Sequence, residues 1–103
     1  MYGVVTNVRA PVEVYDRMHA ELIKRAGTSL DGTGLLVHVG RATADGFERF
    51  EVWESKDAYH RANDMTASLM RDLAGDLPQP STDESTEAFE VRGLVIPRGD
   101  IVI

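Results

Sequence analysis

GLLVHVGRATADGFERFEVWES, residues 34–55, runs straight on into KDAYHRANDMTASLMRDL, residues 56–73. This stretch decides the fold. Residues 35–41 and 47–54 are strand-like runs, and the Asp45-Gly46 pair between them is a hairpin signal. Alternation along the second run puts Phe47, Arg49, Glu51 and Trp53 on one face and Glu48, Phe50, Val52 and Glu54 on the other. Ser55 is a good helix N-cap, because its hydroxyl can accept one of the free N–H groups of the first turn. Asp57 adds a carboxylate at the positive end of the helix dipole. Ala58, Ala62, Met65, Thr66, Leu69 and Leu73 then recur at helical steps, which predicts a helix to about Leu73 with that stripe turned inward.

Upstream, residues 2–9 (YGVVTNVR) read as a strand, with Gly3, Val5, Asn7 and Arg9 on one face and Tyr2, Val4, Thr6 and Val8 on the other. Pro11 suits a helix start. Val14, Tyr15, Met18, Leu22, Ile23 and Ala26 make an apolar stripe, and Gly27 is a natural stop. The helix covers roughly residues 11–26. Downstream, the Pro-, Ser- and acid-rich residues 75–88 read as a flexible loop, and residues 89–96 as a fourth strand. The triplet Arg98-Gly99-Asp100 reads as a turn. The order β-α-β-β-α-β is the ferredoxin-like α+β pattern: one domain over residues 1–103, a four-stranded antiparallel sheet with two helices on one face. The uncovered face calls for burial, most simply in a sheet-to-sheet homodimer.

Composition bounds the function. The net charge is −6, and Lys and Arg are scattered without a basic stripe. Such a chain repels nucleic acid and anionic membranes. The sequence has no cysteine, which excludes disulfides, thiolate nucleophiles and Cys-based metal sites. No signal peptide is expected, and no apolar run nears the ~20 residues that span a bilayer. The expectation is a soluble, cytoplasmic protein. No phosphate-binding glycine loop or serine nucleophile elbow is present.

At Gly34-Leu35-Leu36-Val37-His38-Val39, at Gly46-Phe47 and at Glu51-Val52-Trp53-Glu54-Ser55, followed by Ala58 and Tyr59, the chain resembles the dimeric α+β-barrel superfamily. It is most similar to its small antibiotic-biosynthesis-monooxygenase-like members. The resemblance covers roughly residues 2–96 and implies a homodimer with a ligand cavity between each sheet and its own helices. Such proteins include cofactor-free oxygenases of aromatic polyketides, haem degraders and polyketide cyclases. The strand-one Asn of the haem degraders is matched by Asn7, but their helix-two Trp and axial His fall near Ala62 and Arg71. Haem is therefore disfavoured, and no cofactor is expected.

His38 lies in an otherwise apolar strand. It is either a satisfied core imidazole or a base, since imidazole titrates near neutral pH. Asn7 and Tyr15 are its candidate catalytic companions, Tyr15 because a phenol can donate to a developing oxyanion. Trp53, Tyr59, Asn63 and Met18 are candidate walls for a small apolar or aromatic ligand, with core packing the alternative for Trp53. His19, and His60 between Asp57 and Asp64, lack a recognised ligand spacing, so no metal is expected. The expected function is a cofactor-independent oxygenase-like enzyme on an aromatic or polyketide-type substrate. A ligand-binding accessory protein and a cyclase or isomerase are the alternatives, because one scaffold hosts many chemistries.

Overall fold

The computed structural model describes residues 1–26, 33–72 and 84–96. The elements are β1 (Tyr2–Val8), α1 (Val12–Ala26), β2 (Leu35–Ala42), β3 (Phe47–Trp53), α2 (Lys56–Asp72) and β4 (Glu84–Glu90). The strands form one antiparallel sheet in the order β2-β3-β1-β4. Both helices pack on the same face of that sheet, which is the expected ferredoxin-like α+β fold. Gly27, Leu73, residues 75–83 of the expected loop and the Arg98-Gly99-Asp100 triplet lie outside the described residues.

Alternation along β1 sorts the two faces. Val4, Thr6 and Val8 are buried under the helices, whereas Asn7 is exposed. Val14 of α1 closes over Val8, Ala10 and Phe47, with Val12, Tyr15 and Met18 around them. Ala58 of α2 closes over Val4 and Trp53, flanked by Tyr2, Leu35, Tyr59 and Ala62. Each buried valine contributes roughly 1.5–3 kcal/mol of apolar burial. Ser55 caps α2 as expected, its Oγ accepting the Ala58 N–H at 3.1 Å. Met65 departs from the expected inward stripe: it is 70% exposed, because the face of α2 that meets the sheet carries Ala58, Tyr59 and Ala62 instead.

The hairpin differs in its turn. The Thr43 N–H donates to the Gly46 carbonyl at 2.9 Å, so the turn centres on Ala44-Asp45, one residue before the expected pair. Gly46 is not there for a left-handed backbone; among the described residues only Gly34 has positive φ, at 82°. Gly46 is needed because any Cβ would strike the backbone of Val8 and Ala10. This turn sets the register Ala42↔Phe47, Gly40↔Arg49 and His38↔Glu51. A β-bulge between Leu35 and Val37 then shifts the alternation by one. Leu35 and His38, three residues apart, therefore face the same helices.

The fourth strand was expected at residues 89–96 and lies at Glu84–Glu90, so residues 84–88 belong to the sheet and not to a loop. It pairs along all of β1, from Tyr2↔Glu90 to Val8↔Glu84. Its polar composition fits an edge strand, where side chains stay wet. Residues 91–96 run past the end of β1, and the Val91 N–H reaches back to the Met1 carbonyl at 3.2 Å.

Candidate functional site

Three elements bring Tyr15, His38 and Glu51 into one chain of hydrogen bonds. Tyr15 leaves the inner stripe of α1. His38 rises from the middle of β2, and Glu51 stands opposite it on β3. The Tyr15 hydroxyl lies 2.8 Å from His38 Nε2, and His38 Nδ1 lies 2.9 Å from Glu51 Oε2. A carboxylate can only accept, so a neutral His38 carries its proton on Nδ1 and donates it to Glu51. Nε2 is then the acceptor for the Tyr15 O–H. Glu51 and His38 are 12% and 22% exposed, so the pair is held in a largely dry setting.

The local packing enforces this alignment. The Tyr15 and His38 rings are within 2° of parallel, with centroids 6.0 Å apart. Tyr15 lies over Gly40, where any Cβ would overlap its ring. Phe47 supports the phenol from the side at 5.4 Å. His19, one helical turn beyond Tyr15, stacks against Tyr15 at 5.4 Å and against His38 at 5.6 Å. Burial, opposed by Arg49 and assisted by Glu51 and Asp16, pushes the Tyr15 phenol above its ordinary 10.0. The phenol thus keeps its proton at neutral pH and can donate it. Burial and the neighbouring His38 push His19 below its ordinary 6.5.

The other expected residues divide. Trp53, Tyr59 and Tyr2 form an aromatic group at the α2 end, with Trp53–Tyr59 and Tyr2–Tyr59 centroids 5.9 and 5.5 Å apart. Trp53 is 5% exposed, and its Nε1–H has no acceptor among the described residues. Met18 packs at the edge of the Val14 cluster on the same side of the sheet. Asn63 is exposed on α2. Asn7 stands on the outer face of β1 with Gly3 and Val5, across the sheet from His38, because the period of two turns it away.

Sequence reasoning missed Glu51 and Arg49. The signal was there, since both lie between Phe47 and Trp53 on the face that the alternation turns inward. The partnership of Glu51 with His38 needed the register, which the turn and the bulge decide. A groove of about 560 Å³ at the hairpin end, lined by Arg9, Pro11, Val12, Thr43 and Asp45 among others, contains none of the Tyr15–His38–Glu51 group.

No three His, Asp or Glu side chains gather to hold a metal among the described residues. Asn7 is on the outer face, and both His38 nitrogens are hydrogen-bonded. No described helix is long and apolar enough to cross a membrane.

No family model matches the chain, and no curated protein matches it. Solved structures do. A monooxygenase of Streptomyces coelicolor, in complex with Nanaomycin D, is 23% identical with a TM-score of 0.53, over 93% of this chain and 90% of that one. The haem degrader MhuD of Mycobacterium tuberculosis is 19% identical with a TM-score of 0.57, over 92% and 99%. SnoaB, a cofactor-independent oxygenase of Streptomyces nogalater, is 17% identical with a TM-score of 0.51, over 91% and 93%. At such identities the likeness establishes the architecture and leaves the reaction to the site. The chain shares with these structures the ferredoxin-like α+β fold, a four-stranded antiparallel sheet with two helices on one face.

Proposed function

We propose that the protein is a cofactor-independent oxygenase-like enzyme acting on an aromatic or polyketide-type substrate held between the sheet and its two helices. The observation that carries this is the Tyr15–His38–Glu51 relay. A pocket that only binds needs no aligned donor and acceptor pair; one that removes protons does. A substrate O–H or activated C–H would give its proton to the Tyr15 oxygen as the Tyr15 proton moves to His38 Nε2. Glu51 would stabilise the imidazolium, and the apolar walls at Trp53 and Tyr59 would hold the ring. The electron-rich carbanion would pass electrons to O2 and form a carbon–oxygen bond. The resulting peroxide anion would take back the relay's proton, and the hydroperoxide so formed would lose water to leave a carbonyl, so that one O2 is used and one water released per carbonyl formed.

The test is an oxygen electrode with a panel of hydroxylated polycyclic aromatics, in the presence of a metal chelator. Chelator-resistant O2 uptake equal to the product formed is expected. Conversion of substrate without O2 uptake would replace the oxygenase with a cyclase or isomerase, and inert substrates throughout would leave a binding protein.

The partner proposed is a second copy of the chain, meeting at the uncovered sheet face. Val39 and Phe50 pair across β2 and β3 on that face and are 53% and 37% exposed, with Phe89 6.0 Å from Phe50. An apolar patch on a flat sheet favours a two-fold contact. Native mass spectrometry of the purified protein should give a dimer, and Val39→Asp should shift it to monomer. A monomeric native protein would refute the contact. The cytoplasm, with its reducing conditions, is the proposed compartment.

A further inference from the structure

The middle row of the helix-covered sheet face holds a charge that the relay does not use. Gly40, Arg49, Thr6 and Thr86 pair in register across β2, β3, β1 and β4. Gly40 has no side chain and lies under Tyr15, and Thr6 is 1% exposed. Arg49 is therefore the one charged side chain of that row, one step along β3's inner face from Glu51. It is three-quarters buried, at 25% side-chain exposure.

Its donors are poorly used. The Nε–H is buried and has no acceptor among the described residues. The nearest Glu84 oxygen is 3.7 Å from its Nη2, which is an ion pair but too long for a hydrogen bond. Glu84 itself is half-exposed at the sheet edge. A sheltered cation with an idle donor is unfavourable until an acceptor arrives. The guanidinium edge made by Nε–H and its neighbouring Nη–H matches the two oxygens of a carboxylate. Arg49 is also close enough to Tyr15 to act on its phenol.

We propose that Arg49 anchors a carboxylate of the substrate beside the Tyr15–His38–Glu51 relay, which narrows the substrate class to aromatic or polyketide-type acids. This rests on the reading of the space between the sheet and its two helices as the substrate site. An acid held there is fixed at one end by Arg49 while its ring lies toward Trp53, and the reacting carbon comes to Tyr15. Glu84 competes with the ligand for Nη2.

Calorimetric titration of the whole protein with 3-hydroxy-2-naphthoic acid and with its carboxamide tests the anchor without needing turnover. Wild type should bind the acid at least about tenfold tighter than the amide, the size of one charge-assisted pair. Arg49→Met should abolish that preference, Arg49→Lys should keep part of it, and Glu84→Gln should strengthen acid binding. Circular dichroism establishes that each variant is folded, and the lysine variant carries the test should the methionine variant not fold. Equal binding of acid and amide, including binding of neither, overturns the anchor, as does a preference that survives in Arg49→Met. An acid preference in a protein that consumes no O2 retains the anchor and removes the oxygenase reading; O2 uptake on neutral aromatics without acid preference does the reverse.

Discussion

His38→Ala should lower turnover by about 100- to 10,000-fold, the usual worth of a positioned acid–base group. The imidazole is the only member of the relay that touches both others, at 2.8 Å to Tyr15 and 2.9 Å to Glu51. Removing it leaves the phenol with no acceptor for its proton. Because burial already holds the phenol above its ordinary 10.0, Tyr15 does not ionise alone near neutral pH to compensate. Two hydrogen bonds are also lost, and Glu51 is left without its partner. That costs roughly 1–3 kcal/mol of stability, which leaves a typical domain folded. Steady-state rates, with urea unfolding on the same samples, separate the two effects. Tyr15→Phe should lose the relay but keep the fold, and Glu51→Gln should fall between, since a neutral amide still accepts from Nδ1 but stabilises an imidazolium less. A His38→Ala enzyme that turns over like wild type would remove the relay from the mechanism.

How much of this was readable in the sequence follows from which physical rule governs each residue. The alternation of β1 and β3, the Ser55 cap and the element order are set by local chemistry, and the structure repeats them. Tyr15 and His38 were legible as residue types on apolar elements. Their contact was not, because it joins residues 23 apart in the chain through the packing of α1 on the sheet. Glu51 depended on a turn shifted by one residue and on a bulge that no propensity announces. Asn7 could be placed on a face, but which face meets the helices was open until Val4, Thr6 and Val8 were seen buried. β4 was obscured because an edge strand needs little apolar surface, so ESTEAFE resembles a loop while the apolar residues after it do not pair. The edge position thus inverted the compositional signal.

Trp53→Ala should be the most destabilising substitution in the described core, by about 3–5 kcal/mol in urea unfolding, as large-to-small changes of a buried indole are. Trp53 is 5% exposed, touches Val4 and Ala58, and backs the Tyr59 ring at 5.9 Å. The cavity it would leave lies under α2, and a small domain has little stability to spare. Trp53→Phe separates packing from polarity. The indole Nε1–H is buried and unmatched in the free protein, so deleting it relieves a desolvation penalty of roughly 1–3 kcal/mol that offsets part of the lost volume. The phenylalanine variant should therefore lie much nearer wild type in stability than the alanine variant does. Ligand binding should respond in the opposite sense. Where a bound substrate oxygen supplies the partner this donor lacks, Trp53→Phe should weaken an oxygen-bearing aromatic ligand while leaving the fold intact. If the phenylalanine variant is as unstable as alanine, the N–H has a partner in the folded protein; if it binds ligand as wild type does, Trp53 only packs.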